Sequence, residues 1–462
     1  MQDPDKAEKI CTVFSAFFLC LGMVSRTVIY AKGRDLWLEE AMLWDSLKPL
    51  IGGFEISELA LRFLPLLAGI ATLLLAYIFA KKEFGVRFAC VFLFLLVCSD
   101  SLLFYSVNFS LYGLEALLIA LCLCVWSYSK RDTKALIALI TLAGIFCIIT
   151  NYQEHEAGYW FNINSAAGPV HGFAIFIIWF NDFFIQMLGR HFIDFHYFVF
   201  GPFVWINALI FVLTLGFGSF FLYKEKKYLL LSVFIPIVIL ILLYLLQIAP
   251  LGMPYNDFMR VMRNWSQMQV VGSKYLVFIM PLIFIPVALC IHKVFLKVGN
   301  PVLIGILVIL AFLALSSNAI RMHKGIGAPE SSDILRLINE NATSKSLVYA
   351  DSASRPIFEY YMSRSPLRDN PNLNYFYVKK DGYMYLNNNF IGKYYGRPDE
   401  LFDVMKNFKT ENAFFFFSFG DFSSVGESNI IVDYVQKNYA GKSRGFQSKH
   451  AGAAWVKMGE KP

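Results

Sequence analysis

The sequence predicts a membrane-embedded, all-α helical bundle of about nine spans, followed by a small C-terminal α/β domain outside the membrane. Hydrophobic residues make up 57% of the 462 residues and charged residues only 16%, a balance typical of polytopic membrane proteins. Nine apolar runs are each long enough to cross a bilayer. After Ser317 the apolar runs stop and short helical and strand patterns alternate.

The nine runs also carry a consistent charge pattern. They lie near residues 10–30, 61–80, 88–107, 112–128, 134–150, 197–222, 228–248, 275–294 and 301–317. Basic residues gather in every second connection: Lys81, Lys82 and Arg87; Lys130, Arg131 and Lys134; Lys224, Lys226 and Lys227; His292, Lys293 and Lys297. The positive-inside rule places these connections in the cytoplasm. The chain is therefore predicted to be a multi-pass protein of the plasma (inner) membrane, with residues 31–60 and the C-terminal domain extracytoplasmic.

Two segments need separate interpretation. The first run lacks a small-residue cleavage site, which favours an uncleaved span. Residues 171–188 are apolar but contain Asn181 and Asp182. As a tenth span they would move the Lys224 cluster outside, so an interfacial or re-entrant helix within the outer segment 151–196 is predicted instead.

The chain divides into a predicted transmembrane module, residues 1–317, and a soluble α/β domain, residues 318–462. Alternating helical and strand patterns predict this second domain. The predicted helices are 333–341, 355–363 and 430–439, and the predicted strands are 346–350, 413–419 and 453–458.

Composition also excludes several functions. All eight cysteines fall inside apolar segments, so neither a disulfide framework nor a cysteine metal cluster is indicated. No basic run with interleaved aromatic residues occurs, so nucleic acid is not an expected partner.

The first outer loop contains the sequence L-W-L-E-E-A at 36–41. Its adjacent carboxylates, Glu39 and Glu40, follow the first span by about one helical turn. Such a pair can take a proton from a hydroxyl acceptor, and like-charge repulsion favours a base that works near neutral pH. From the spacing alone, two carboxylates that merely solvate the start of an interfacial helix are an equal alternative.

The order of several motifs resembles the GT-C glycosyltransferases, in particular the bacterial and archaeal group related to protein mannosyltransferases and aminoarabinose lipid A transferases. That group typically shows Leu-Trp-Leu-Asp-Glu-Ala in the first outer loop. The further similar motifs are R-F-L-P at 62–65, K-K-E-F-G at 81–85, K-Y-L at 274–276 with Pro281, and V-Y-A-D-S-A-S-R-P-I-F-E-Y-Y at 348–361.

Two departures from the family pattern stand out. Glu39 occupies the place of the family's catalytic Asp. The outer end of the third span reads Y-S-V-N-F-S-L-Y at 105–112, where the family has Tyr-Ser-Gln-Glu-Ala-Arg-x-Tyr. Asn108 and Ser110 thus replace a Glu and an Arg, which gives weight to a relative that has lost its activity.

The resemblance implies an inverting transfer of a sugar from a polyprenyl-phosphate donor to a hydroxyl of a glycan, lipid or protein acceptor. Glu39 is then the expected base, with Glu40 beside it. Cations are needed for the departing phosphate, and the candidates are Arg260, Arg263, Lys274 and Arg62, for which snorkelling to lipid headgroups is the alternative. The candidate cavity residues are Trp37, Tyr105, Asn108, Tyr112, His155 and Arg355.

Several alternatives stay open at this level. Arg355 is also placed to form a local salt bridge with Glu359, one turn further on. A divalent metal is left undecided, because Glu39, Glu40, Asp45 and His155 form no recognised ligand set. The competing classes are a lipid or sugar transporter (flippase) and a non-catalytic membrane subunit with the same fold. Against a transporter, no internal repeat is apparent and the charges lie at the ends of the spans.

Overall fold

The computed structural model describes most of the helical region and most strands of the C-terminal region. The described residues are 4–33, 36, 38–48, 56–129, 132–154, 202–245, 274–295, 331–343, 345–350, 354–362, 373–378, 383–387, 389–393, 398–418, 430–431, 433–439, 443–447 and 451–458. The predicted interfacial helix at 171–188 and the predicted ninth span at 301–317 lie outside them.

The chain forms two compact units. The first, here called the helical unit, comprises Met1–Lys32 and Leu59–Ile326. The second, the sheet unit, comprises Gly33–Glu58 and Gly327–Pro462. The first loop therefore folds with the C-terminal residues, although the sequence predicts it as part of the transmembrane module.

The helical unit contains eight labelled α-helices among its described residues, of which the first seven come before residue 246. These seven are α1 (Pro4–Ala31), α3 (Glu58–Phe84), α4 (Val86–Cys98), α5 (Asp100–Tyr105), α6 (Tyr112–Tyr128), α7 (Thr133–Glu154) and α8 (Pro202–Leu245). Helix α2 (Leu38–Leu47) lies between α1 and α3 in the sequence but belongs to the sheet unit. A 3₁₀ helix, Lys274–Ile279, then leads into α9 (Met280–Phe295). The long helix α8 is interrupted at Lys226, whose φ of −146° and ψ of 68° are not helical.

The predicted membrane bundle of about nine spans is wrong as a fold assignment. Within the described part of the chain, two helices are long and apolar enough to cross a membrane, Glu8–Ala31 and Glu58–Phe84. Further apolar helices of the described residues are shorter, at 10–17 residues: Val86–Cys98, Tyr112–Tyr128, Lys134–Cys147 and Val277–Lys293.

Helix α4 shows why the number of membrane spans was predicted wrongly from the sequence. The predicted span 88–107 breaks at Ser99, whose ψ of 111° ends α4 and whose side chain accepts a hydrogen bond from the Leu102 amide at the start of α5. Helix α4 is thus 13 residues long, or about 20 Å, short of the roughly 30 Å hydrocarbon core. Apart from Arg87 its side chains are buried in protein. A helix buried on every side is as uniformly apolar as a membrane helix.

The sheet unit is built on a seven-stranded mixed sheet. In spatial order the strands are β4 (Asn389–Lys393), β3 (Tyr383–Leu386), β2 (Leu373–Val378), β1 (Ser346–Ala350), β5 (Asn412–Ser418), β7 (Ala451–Lys457) and β6 (Ser443–Gln447). Strand β1 pairs in parallel with both β2 and β5, and the remaining pairs are antiparallel. The buried strand β1 is apolar at four of its five positions, as expected for the centre of a parallel region.

Helices accompany this sheet. They are α10 (Ser331–Asn341), α11 (Arg355–Met362) and α12 (Pro398–Asn407), with further helical residues at 430–431 and 433–438. Phe402 of α12 stacks on Phe415 of β5, with ring centroids 5.2 Å apart. The helices and strands predicted from sequence for this region are present to within two residues at each end among the described residues, whereas β2, β3, β4, β6 and α12 were not predicted.

Candidate functional site

The acidic turn, residues 36–41, is part of the sheet unit. Glu39 and Glu40 are the second and third residues of α2. The side chain of Glu40 is 2% exposed, and Ala41 and Trp44 are also buried. A carboxylate that merely solvates a helix start would lie in water, so the burial of Glu40 argues against that alternative.

Helix α11 holds this turn in place. The backbone amide of Leu36, itself fully buried, donates a hydrogen bond to the hydroxyl of Tyr361 with an N···O distance of 2.9 Å. Trp44 meets Tyr360 edge to face, with ring centroids 6.3 Å apart and an interplanar angle of 89°. One contact fixes the backbone before α2 and the other fixes the helix itself.

Helix α11 is in turn packed on the middle of the sheet. The ring of Phe358 lies 6.3 Å from that of Tyr375 on β2 and 5.9 Å from that of Phe416 on β5. The acidic turn is therefore connected through one short helix to two central strands, which gives it a rigid support.

Arg355 makes the local ion pair considered from sequence. Its Nε lies 2.7 Å from Oε1 of Glu359 and its Nη2 lies 3.2 Å from Oε2, which is a bidentate arrangement. The guanidinium also sits 4.6 Å from the ring centroid of Tyr377, within cation–π range. Burial raises the pKa of the Tyr377 phenol, and the nearby charge of Arg355 partly offsets that rise.

The segment 105–112 is a buried, irregular connection between α5 and α6. Tyr105, Asn108, Ser110 and Tyr112 are all buried, and the two tyrosine rings meet with centroids 5.0 Å apart. Oδ1 of Asn108 and Oγ of Ser110 have no hydrogen-bond partner within the described part of the chain. Buried polar atoms of this kind are uncommon and indicate places where a ligand or water completes the bonding.

Two more charged side chains are buried in the helical unit. Arg62, in the second turn of α3, is 1% exposed, and Glu115, in the first turn of α6, is also buried. An interface anchor for Arg62 would require an exposed side chain, so its burial favours a role inside the protein.

Most of the remaining predicted site residues lie outside the residues that the structure describes. Trp37, His155, Arg260 and Arg263 lie outside the described residues, whereas Lys274 opens the 3₁₀ helix. Over the described ranges, no group of three or more His, Cys, Asp or Glu side chains is arranged to hold a metal ion.

The structure thus brings the predicted acidic turn and Arg355 together on one unit, and places Arg62, Tyr105, Asn108 and Tyr112 in the other. Sequence reasoning missed Tyr360, Tyr361 and Trp44. The stretch 348–361 contains both tyrosines, but no local signal links them to a loop more than 300 residues earlier.

Comparison with known proteins adds no family assignment. No protein-family model matches this chain, and no curated protein matches it either.

Proposed function

We propose that this protein is an inverting glycosyltransferase that moves a sugar from a polyprenyl phosphate to a hydroxyl acceptor. The observation that carries the proposal is the buried acidic turn. Glu40 is 2% exposed on a short helix that a folded domain holds through the Leu36–Tyr361 hydrogen bond. Burying a carboxylate is costly, and a general base needs a fixed position beside its proton donor.

In the proposed reaction the acceptor hydroxyl oxygen attacks the anomeric carbon of the sugar. The hydroxyl proton passes to the carboxylate of Glu39, with Glu40 as its neighbour. The bond between the anomeric carbon and the phosphate oxygen breaks, and the phosphate leaves with the electron pair. A phosphate leaving group needs positive charge beside it.

The segment 105–112 supports a sugar substrate. Asn108 Oδ1 and Ser110 Oγ are buried acceptors without a partner among the described residues. Sugar hydroxyls are donors that would satisfy both atoms, and two buried tyrosine rings, Tyr105 and Tyr112, flank them. Neutral residues at these positions suit hydroxyl groups better than a charged ligand group.

We further propose that Glu8–Ala31 and Glu58–Phe84 cross the membrane and that the sheet unit lies on the extracytoplasmic side. Residues 33–58 and 327–462 belong to one compact unit, so they must lie on the same face of any membrane. Basic residues close α3 at Lys81 and Lys82, which favours a cytoplasmic position for that end.

Release of sugar from a panel of radiolabelled polyprenyl-phosphate sugars tests the reaction. The purified full-length protein is compared with Glu39→Gln, Glu40→Gln and the control Glu340→Gln, whose carboxylate is 58% exposed on α10. We expect release to fall at least 100-fold in Glu39→Gln, since general-base catalysis contributes that much, and to be unchanged in the control. Assays with and without a divalent metal chelator decide the metal question.

Unchanged release in both acidic-turn variants would refute the proposed base. No release from any donor by a folded protein would favour the non-catalytic subunit, to which the neutral Asn108 and Ser110 also point. Uptake of an intact lipid-linked sugar into proteoliposomes would favour a transporter.

A further inference from the structure

Arg26 is a buried cation inside one of the two helices that are long and apolar enough to cross a membrane. Its side chain is 1% exposed on α1. Nη1 donates a hydrogen bond to the carbonyl oxygen of Gly22 on the same helix, at 3.1 Å. Nε is buried and has no partner among the described residues, and no ion pair of Arg26 occurs within them.

The guanidinium lies where three helices meet. Gly22, one turn before Arg26, is so close to α3 and α4 that a Cβ atom there would approach Leu73 Cδ1 to 2.8 Å and Val97 Cγ2 to 2.7 Å. The same Cβ would lie 3.5 Å from Nη1 of Arg26. The guanidinium therefore sits against the contact of α1 with α3 and α4.

Contacts along these helices locate Arg26 at one end of their interface. Helix α1 runs parallel to α4, because Phe18 packs on Phe94 and Gly22 on Val97. It runs antiparallel to α3, because Gly22 faces Leu73 whereas Tyr30 donates a hydrogen bond to the carbonyl of Leu59. One turn beyond Gly22, Arg26 is thus level with the part of α3 that contains Gly69.

This end of the interface adjoins the polar segment 105–112. Gly69 is in direct contact with Ser106, which is buried. Ser99, at the break between α4 and α5, is also buried. The end of the three-helix interface that contains Arg26 therefore adjoins buried serine side chains, whereas the part around Phe18 and Phe94 is aromatic.

A buried cation is strongly destabilising unless an opposite charge accompanies it. The described residues supply no such charge to Arg26, and a bound anion would supply it. The planar guanidinium fork matches phosphate oxygens in geometry, and phosphate is the anionic group common to membrane lipids and lipid-linked sugars.

We propose that Arg26 binds a phosphate group at the junction of α1, α3 and α4. The phosphate is contributed by a lipid phosphate monoester or by free inorganic phosphate. This inference goes beyond the proposed transfer reaction and does not require it, since it is tested without sugar or acceptor.

The test titrates the full-length protein in nanodiscs of neutral lipid with phosphatidic acid, a lipid phosphate monoester, in one arm and with inorganic phosphate in the other. Thermal unfolding and native mass spectrometry report binding for the wild type, Arg26→Lys, Arg26→Met and a control, Arg87→Met. Arg87 is a partly exposed residue in the first turn of α4, at the opposite end of the α1–α4 interface.

We expect the wild type and the control to bind with equal affinity, and Arg26→Met to bind at least tenfold more weakly. Arg26→Lys keeps the charge but loses the fork, so it should fall between them. Without ligand, Arg26→Met should unfold at or above the temperature of the wild type, because the substitution removes an unpaired buried charge. Binding only of the lipid, or only of inorganic phosphate, supports the site and identifies its source.

Two results would overturn the proposal. One is equal phosphate binding by Arg26→Met and the wild type, or no binding by either. The other is a fall in the unfolding temperature of Arg26→Met that is the same with and without phosphate, which would make Arg26 a structural residue. Loss of sugar transfer in Glu39→Gln with phosphate binding intact would separate this site from the proposed base.

Discussion

The backbone amide of Leu36 donates a 2.9 Å hydrogen bond to the hydroxyl of Tyr361, which lies 325 residues later in the chain. Both partners are buried. This bond joins the loop between two candidate membrane helices to the first helix after strand β1. The position of Glu39 and Glu40 therefore depends on the C-terminal fold.

Replacement of Tyr361 by Phe tests that dependence. The substitution leaves the buried amide of Leu36 without an acceptor, which should lower the free energy of unfolding by about 1–3 kcal/mol. Proteolysis of residues 33–58 should also become faster. As a control, Tyr128→Phe removes a hydroxyl from a side chain that is 64% exposed and should change neither quantity. Equal effects of the two variants would contradict the proposed support.

Arg355 has two alternative roles that a substitution separates. Its ion pair with Glu359 is partly exposed and lies within one helix, so Arg355→Gln should lower stability by no more than about 1 kcal/mol. If the local pair is its role, sugar transfer should stay unchanged. A fall of tenfold or more in transfer, with stability preserved, would instead place Arg355 in the substrate cavity.

Gly69 allows α3 to approach the segment 105–112. A Cβ atom at this position would overlap the side chain of Ser106, so Gly69→Ala should force the helix and the segment apart. We expect a loss of about 1–3 kcal/mol in stability. At Gly216, on α8, an added Cβ meets nothing within 4 Å, so Gly216→Ala should instead stabilise by about 0.5–1 kcal/mol. Thermal unfolding of both variants measures the difference, and a stable Gly69→Ala protein would refute the close contact.

The environment of Tyr377 predicts that the protein loses stability at alkaline pH. Because burial raises the pKa of its phenol in the folded state, the neutral form is favoured by folding. The associated stability is complete below the ordinary tyrosine pKa of about 10 and is lost as the pH rises through the folded value. Unfolding temperatures measured above pH 9 should therefore fall less steeply in Tyr377→Phe than in the wild type or in Tyr128→Phe. Parallel curves for all three proteins would exclude a contribution from Tyr377.

The sequence predicted the central strands of the sheet unit well. Residues 346–350 and 412–418 are short apolar or aromatic runs with polar flanks, and such runs have few alternatives once their length excludes a helix. Strand β4, at the edge of the sheet, contains Asn, Gly and Lys beside Phe and Ile, and its neighbour β3 is only four residues long. The formation of β3 and β4 depends on the neighbouring strands, so no local sequence pattern predicts them.

The helical unit was predicted less well for a physical reason. Apolar residues are required both by lipid and by a protein interior, and hydropathy does not distinguish the two. Helix α4 is buried in protein and 13 residues long, yet it was assigned with α5 to one span. The break at Ser99 depends on a serine side chain that accepts one hydrogen bond, and that signal is too weak to detect in an apolar run.

The acidic turn was located in the sequence from its motif, but the residues that hold it in place were not predicted. A motif identifies residues that are neighbours in the sequence, whereas the partners of this turn are Tyr360 and Tyr361. Arg26 was also overlooked, because a single basic residue near the end of an apolar helix suggests an interface anchor. Its burial between three helices is a property of the tertiary structure alone.

The 325-residue separation between Leu36 and Tyr361 has a consequence for biosynthesis. A ribosome that adds about 5–20 residues per second needs roughly 15–65 seconds to travel from the first residue to the second. Throughout that interval the loop 33–58 has emerged without the helix that will hold it. The nascent chain must therefore keep its apolar residues, among them Leu36 and Trp44, from other partners until the last quarter of the protein is made.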